Sequence, residues 1–206
     1  LKAPCDLLWF GGIGTYIKAA SEPHAAAGDK ANDAIRVDAE DVRALVIGEG
    51  ANLGLTQKGR IALARKGGRL NTDAIDNSAG VDSSDHEVNI KILLNAVVAS
   101  GAMTLPQRDE LLASMTDDVA RHVLAHNYSQ TRALTLQQAT APADLDAHER
   151  FMERLEGAGL LDRKVEFLPS AEDIRALRAS GLGLTRPELA VVMAYSKIVL
   201  FDEIVA

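Results

Sequence analysis

Apolar residues follow two different rhythms along this chain, and the change falls near Ser100 and Gly101. Before that point, short apolar runs alternate with glycine-rich turns: Leu7 to Phe10 stops at Gly11-Gly12, and Ala44 to Ile47 stops at Gly48. Compact apolar runs closed by glycine are the pattern of strands buried in a parallel sheet. The segment from Ala25 to Val42 between them is predicted to cross over as a helix. Ile61 to Arg65 reads as a short helix opening after Thr56, and Arg69-Leu70-Asn71 as one more short strand. Strand, crossover and helix in this order predict α/β organisation.

Beyond residue 101 strand candidates vanish and helix-start signals recur. Thr104 precedes Pro106, Ser170 precedes Asp173 by three positions, and Thr185-Arg186-Pro187-Glu188 combines a capping box with an early proline. Each opens an apolar-periodic run. Leu111, Leu112, Met115, Val119 and Val123 form one stripe, and Leu189, Val192, Met193 and Ile198 belong to the last. Gly157, Gly159 and Gly181 are expected helix stops. The predicted architecture is therefore a partial Rossmann-like parallel sheet over residues 1–100, followed over residues 101–206 by an all-α bundle of about four or five helices.

Charge and cysteine usage narrow the partners. Lys and Arg total 22 against 29 Asp and Glu, a net charge of -7, so the basic footprint that nucleic acid requires is missing. Cys5 is the single cysteine, which cannot form an internal disulfide and fits a reducing, cytoplasmic setting. No apolar run approaches the roughly 20 residues of a membrane span. The sequence opens at Leu1 without a methionine and enters the strand-like Asp6-Leu7-Leu8-Trp9-Phe10 almost at once, which suggests a piece of a longer polypeptide.

Two segments carry chemistry. In Ala44-Leu45-Val46-Ile47-Gly48-Glu49-Gly50-Ala51-Asn52-Leu53-Gly54 a strand runs into small residues that permit close backbone approach, with a helix expected from Thr56. Gly48, Gly50 and Gly54, with Asp73 further on, imitate a dinucleotide fingerprint. A complete Rossmann domain needs more βα units after that turn than this chain supplies, so the imitation is read as false. The second segment runs from Gly67 through Asn77-Ser78-Ala79-Gly80-Val81 to Asp85-His86-Glu87, then into a stripe of Ile90, Leu93, Leu94, Val97 and Val98. Ser84 and Glu87 form a capping box at the expected start of that helix, where free amides and a hydroxyl also suit a carboxylate.

These segments resemble a known family. Glu49-Gly50-Ala51-Asn52 is similar to the Glu-Gly-Ala-Asn element of glutamate dehydrogenases, and Asn77-Ser78-Ala79-Gly80-Val81 to their Asn-Ala-Gly-Gly-Val element. Asp6 to Tyr16, Gly28 to Asp33, Asn52 to Gln57 and Asn71 to Val81 resemble the large, multidomain NAD-specific enzymes, and Leu184 to Ala190 resembles their helical C-terminal region. The resemblance implies oxidative deamination of L-glutamate to 2-oxoglutarate and ammonium, with NAD as cofactor and a parent protein that is a homo-oligomer. It implies that Gly50, Ala51, Asn52 and Asn77 lie on the cofactor side, that Val81 lines the glutamate pocket, and that Ser84 bonds a substrate carboxylate. It places the catalytic lysines and aspartate in an upstream substrate domain, so no catalytic residue is assigned in this chain. Asp82, Ser83, Asp85 and His86 depart from the small enzymes of the family.

Other candidates have blander readings. His122 and His126 sit at i,i+4 on a predicted helix, a metal-compatible spacing, but the sequence offers no third ligand nearby and no metal is expected. His86 reads as an exposed residue near a helix start, and Trp9 beside Gly11-Gly12 as a packing anchor. Two alternatives to the resemblance stay open: a helical interaction or regulatory module, and another amino-acid dehydrogenase sharing the late Rossmann elements.

Overall fold

Strands β1 (Cys5–Phe10) and β4 (Ala44–Glu49) pair in parallel, with Leu7 opposite Val46 and Trp9 opposite Gly48. Between them, β2 (Ile17–Lys18) and β3 (Val37–Asp38) make a second small parallel pair. Eight helices follow among the described residues: α1 (Gln57–Arg65), α2 (Asp73–Asp76), α3 (Ser78–Ala99), α4 (Leu105–Ser114), α5 (Thr116–Thr140), α6 (Leu145–Gly157), α7 (Ala171–Ala179) and α8 (Arg186–Val205). This is a computed structural model, and it describes residues 1–205. The chain is thus α/β, a small parallel sheet followed by a helical bundle. No helix among the described residues is long and apolar enough to cross a membrane.

Two cores hold these elements. Phe10, Ile17, Val42, Ile47, Leu55, Leu63 and Leu70 form the first, against the inner face of β4. Ile75, Leu134, Leu145, Met152, Ile174, Leu184 and Leu189 belong to the second, inside the helices. Arginines join the two. The Arg65 guanidinium donates to the Gly183 carbonyl at 2.9 Å, and Arg186 reaches Asn71, Thr135 and the Thr131 carbonyl from the start of α8.

Three expectations need correction. The crossover from Ala25 to Val42 is not a helix: it consists of short 3-10 turns at His24–Ala27, Lys30–Asn32 and Ala39–Asp41, with β3 between the last two. Gly28 adopts a left-handed φ of 67°, which ends the first turn. Asp29 then accepts from the Thr15 amide at 2.8 Å and the Asn32 amide at 2.6 Å, and the buried Arg36 donates to the Thr15 carbonyl at 2.8 Å. Side-chain bonds to backbone thus replace the helical ladder.

The strands are also less buried than parallel strands usually are. Leu7, Trp9 and Leu45 are more than half exposed, because no element among the described residues covers the outer face of β1 and β4. Arg69 extends the sheet by a single parallel bridge to Val46, with the Ile47 amide donating to the Arg69 carbonyl at 2.9 Å.

The third correction concerns Ser84, which is no N-cap. Helix α3 begins at Ser78, after a break at Asn77, so Ser84 stands well inside it on an exposed face. Asn127 of α5 holds the start in place, donating to the Ile75 carbonyl at 3.1 Å and to Ser78 Oγ at 2.9 Å. That tertiary grip overrides the loop-like composition of residues 78–83. Elsewhere the caps form as the sequence predicts. Thr56 accepts from Gly59, Thr104 and Gln107 close a capping box, and Ser170 and Asp173 close another. The stripe from Leu111 to Val123 is divided between α4 and α5 at Met115.

An interior serine on an exposed helix face has a clear signature. Ser84→Ala is expected to leave stability unchanged or raise it by about 0.5 kcal/mol, as alanine is the better helix former. Urea unfolding of the two forms measures this, and a loss near the ~1 kcal/mol typical of a removed N-cap would restore the cap reading.

Candidate active site

The loop leaving β4 is shaped from both sides. The Trp9 indole lies across Gly48 and Gly50, where any β-carbon would collide with it. These two glycines therefore admit a side chain of the neighbouring strand. Glu49, 1% exposed, turns the other way and meets Arg60 of α1 in a bidentate pair, with Nε to Oε2 at 2.7 Å and Nη2 to Oε1 at 2.8 Å. Burial works against the Arg60 charge, but hydrogen bonds and attraction from Glu49, joined by Asp73 at 3.2 Å, hold its pKa above the ordinary arginine value. Burial pushes the Glu49 carboxyl above the usual glutamate range, with Arg60 offsetting part of that.

The same acids fix the loop backbone. Glu49 Oε1 accepts from the Leu55 amide at 3.1 Å, Asp73 Oδ2 from the Leu53 amide at 2.8 Å, and Asp76 Oδ2 from the Glu49 amide at 2.9 Å. Leu53 is held at a φ of 66°, a left-handed conformation costing about 1 to 2 kcal/mol for an L-residue. Nothing in the sequence announces this bend, because leucine is not a residue that favours it.

Past the carboxyl end of β4 this loop forms one wall of an open cleft of about 840 Å³. Asn52 and Asn77, 25 positions apart, meet there: the Asn77 amide donates to Asn52 Oδ1 at 2.8 Å. Val81 and Asp82 of α3, His126 and Gln130 of α5 and Lys197 of α8 also line it, as do Asp73 and Asp85. Lys197 Nζ donates to Gln130 Oε1 at 2.8 Å. Of the residues singled out in the sequence, Asn52, Asn77 and Val81 thus converge. Gly50 and Ala51 form the bend behind them, the Ala51 amide donating to the Phe10 carbonyl at 3.0 Å, and Ser84 lies outside the lining.

The glycine pattern of this turn is not a phosphate cradle. Beside Thr56 at the start of α1 lies a carboxylate of the chain itself: Glu22, buried, accepts from the Thr56 hydroxyl at 2.6 Å and the Ala19 amide at 2.9 Å. Asp73, which the fingerprint would place on a ribose, is engaged with Leu53 and Arg60.

Comparison with known proteins then decides the family. The family model described as bacterial NAD-glutamate dehydrogenase, catalytic domain, matches residues 1–137. The chain belongs to this family. A second model, glutamate dehydrogenase, C-terminal, matches residues 181–206. The chain is 55% identical over 204 residues to the NAD-specific glutamate dehydrogenase of Pseudomonas aeruginosa, covering 99% of this chain. Identity is 50% with the protein of that name from Halomonas elongata and 51% with that from Mycobacterium tuberculosis, in both cases over the whole chain. The chain spans about 13% of the length of each of these glutamate dehydrogenases.

Sequence reasoning missed Gln130 and Lys197, and it weighed Asp82 and His126 without placing them at the cleft. No local motif marks them, since α5 and α8 reach the cleft only through tertiary packing. It also missed Arg60, for which the acidic residue within Glu49-Gly50-Ala51-Asn52 was the available signal: a glutamate that follows a buried strand needs a cation.

The buried pair supplies a stability test. Glu49→Gln turns an amide toward the buried guanidinium and is expected to cost about 3 to 5 kcal/mol, as removal of one partner of a buried pair does. Glu49→Gln combined with Arg60→Met should recover part of the loss. Denaturant titration of the three forms decides, and a loss under about 1 kcal/mol for the single variant would mean the pair does not hold the loop.

Proposed function

We propose that this chain forms the cofactor-side wall of the active site in an NAD-specific glutamate dehydrogenase, a cytoplasmic homo-oligomer that converts L-glutamate to 2-oxoglutarate and ammonium. The convergence of Asn52 and Asn77 at the carboxyl end of a parallel strand carries this reading. Ligands of open α/β sheets bind at that end.

The residues fit a nicotinamide group by donor chemistry. With Asn77 donating to Asn52, the Asn52 Nδ2 and the Asn77 Oδ1 have no hydrogen-bond partner among the described residues. A free amide donor and a free amide acceptor are what a carboxamide, which offers both groups, can use. When bound, NAD takes up the hydride from the substrate carbon. The chain's own contribution is to orient. Asn52 and Asn77 hold the amide plane, the braced Leu53 bend keeps Asn52 in register, and Val81, 61% exposed, supplies apolar surface for the substrate's methylene groups. Ser84, one turn beyond Val81 on α3, has its hydroxyl available to donate to a substrate carboxylate.

The charge of the cleft supports the view that the chemistry needs more than this chain. Its lining carries Asp73, Asp82 and Asp85 against Lys197 as its one lysine or arginine. A dicarboxylate held by that wall alone meets net repulsion. We therefore assign the catalytic lysines to another part of the longer polypeptide. The exposed outer face of β1 and β4 supports the same view, as a surface for covering helices of the longer polypeptide.

In the full-length enzyme, Asn52→Ala and Asn77→Ala are each expected to raise the KM for NAD or lower kcat by about 2- to 12-fold, the equivalent of one hydrogen bond of roughly 0.5 to 1.5 kcal/mol. Steady-state kinetics that do not change in either variant would remove the nicotinamide assignment. Ser84→Asp should raise the KM for glutamate while leaving the KM for NAD in place. An unchanged glutamate KM would leave Ser84 as a surface residue of α3.

A polypeptide limited to residues 1–206 is expected to form no NADH from glutamate and NAD. Turnover above a heat-killed control would overturn the assignment of the lysines elsewhere.

A further inference from the structure

Two helices present matched pairs of donor side chains to one another. Asp82 and His86 stand at i,i+4 on α3, and His122 and His126 at i,i+4 on α5, so each pair lies on one helical face. The faces meet. His126 Nδ1 lies 2.8 Å from Asp82 Oδ2, and His86 Nδ1 lies 3.2 Å from Asp82 Oδ1. A donor atom from each of Asp82, His86 and His126 falls within 4.8 Å of the other two. The His122 ring centroid is 6.3 Å from those of both His86 and His126.

We propose that Asp82, His86 and His126 form a binding site for a divalent transition-metal ion, of which Zn²⁺ suits the donor set, with a water completing the coordination. Zinc bound by imidazole nitrogen and carboxylate oxygen at about 2.0 to 2.2 Å in a tetrahedron needs donors a little over 3 Å apart. The carboxylate-to-imidazole spacings already lie near that value.

Charge points the same way. Among the described residues, Asp82 has no lysine or arginine partner, and its ion-pair contacts are these two imidazoles. A carboxylate 24% exposed thus faces two ring nitrogens with no fixed positive charge beside it. A divalent ion supplies that charge. His126 and Asp82 also border the cleft, so an ion can enter from solvent, and once bound it ties α3 to α5 behind Val81. This inference does not depend on the cofactor assignment.

The test is metal uptake by the full-length polypeptide, with Co²⁺ as a spectroscopic probe and Zn²⁺ as competitor. The wild type is expected to bind one more equivalent per chain than a His86→Asn/His126→Asn double variant, with visible d–d absorption that added Zn²⁺ abolishes. Circular dichroism checks that the double variant is folded. The exposed His126→Gln, which removes one ligand with the least disturbance, is expected to weaken Co²⁺ binding at least about tenfold. Equal uptake by wild type and both variants would overturn the site and leave the cluster as hydrogen bonds of His126 to the Asp82 carboxylate and of His86 to the Asp82 backbone carbonyl.

Discussion

Placing a glutamate at the end of β4, inside the first core, forces much of what surrounds it. An unpaired carboxylate there would cost several kcal/mol, and the Arg60 side chain that balances it comes from α1, so strand and helix cannot be arranged independently. Having two oxygens, Glu49 also takes the Leu55 amide. Arg60 in turn recruits Asp73 from α2, and Asp73 takes the Leu53 amide. One buried pair thereby fixes the two ends of the loop that carries Asn52 and the position of α2, which leads to Asn77. The separation of the two asparagines is set by a charge neither of them contacts.

That dependence explains what the sequence revealed and what it hid. Strands around Leu7 to Phe10 and Ala44 to Ile47 were visible because apolar runs closed by glycine need only local information. The starts of α1, α4, α7 and α8 were visible because Thr56, Thr104, Ser170 and Thr185 bond to residues three positions away. The crossover was misread because its order comes from Asp29, Arg36 and Thr15 acting over 14 to 21 positions. Ser84 was misread for the same kind of reason. Asn127, from another helix, extends α3 back to Ser78, and no local rule includes it. Asn52, Asn77 and Val81 were found by resemblance, and their meeting depends on the fold. The cleft residues from α5 and α8 could not be found by either route.

The glycines of the β4 turn show how a motif can be right about backbone and wrong about ligand. Gly48 and Gly50 are needed because something approaches the backbone closely, as their spacing suggests. What approaches is the Trp9 indole, and beside the start of the helix beyond lies Glu22. A phosphate placed there would meet a buried carboxylate of the same sign. The turn therefore serves to aim Asn52, and its glycines make no phosphate cradle.

Helix α3 binds these observations into one mechanical unit. Its first turn is gripped by Asn127 of α5, its second presents Val81 and Asp82 to the cleft, and Asp82 and His86 face His126 across the same helix pair. Helix α5 is in turn tied to α8 through Arg186, which also holds Asn71 just before α2. A displacement of the helical bundle cannot leave Asn77 where it is, because the residues on either side of it are bonded to α5 and α8. The helices are therefore part of the cleft's construction. The consequence is physical: any ligand whose binding draws Asn52 and Asn77 together must also work against, or be helped by, the packing of α3 on α5.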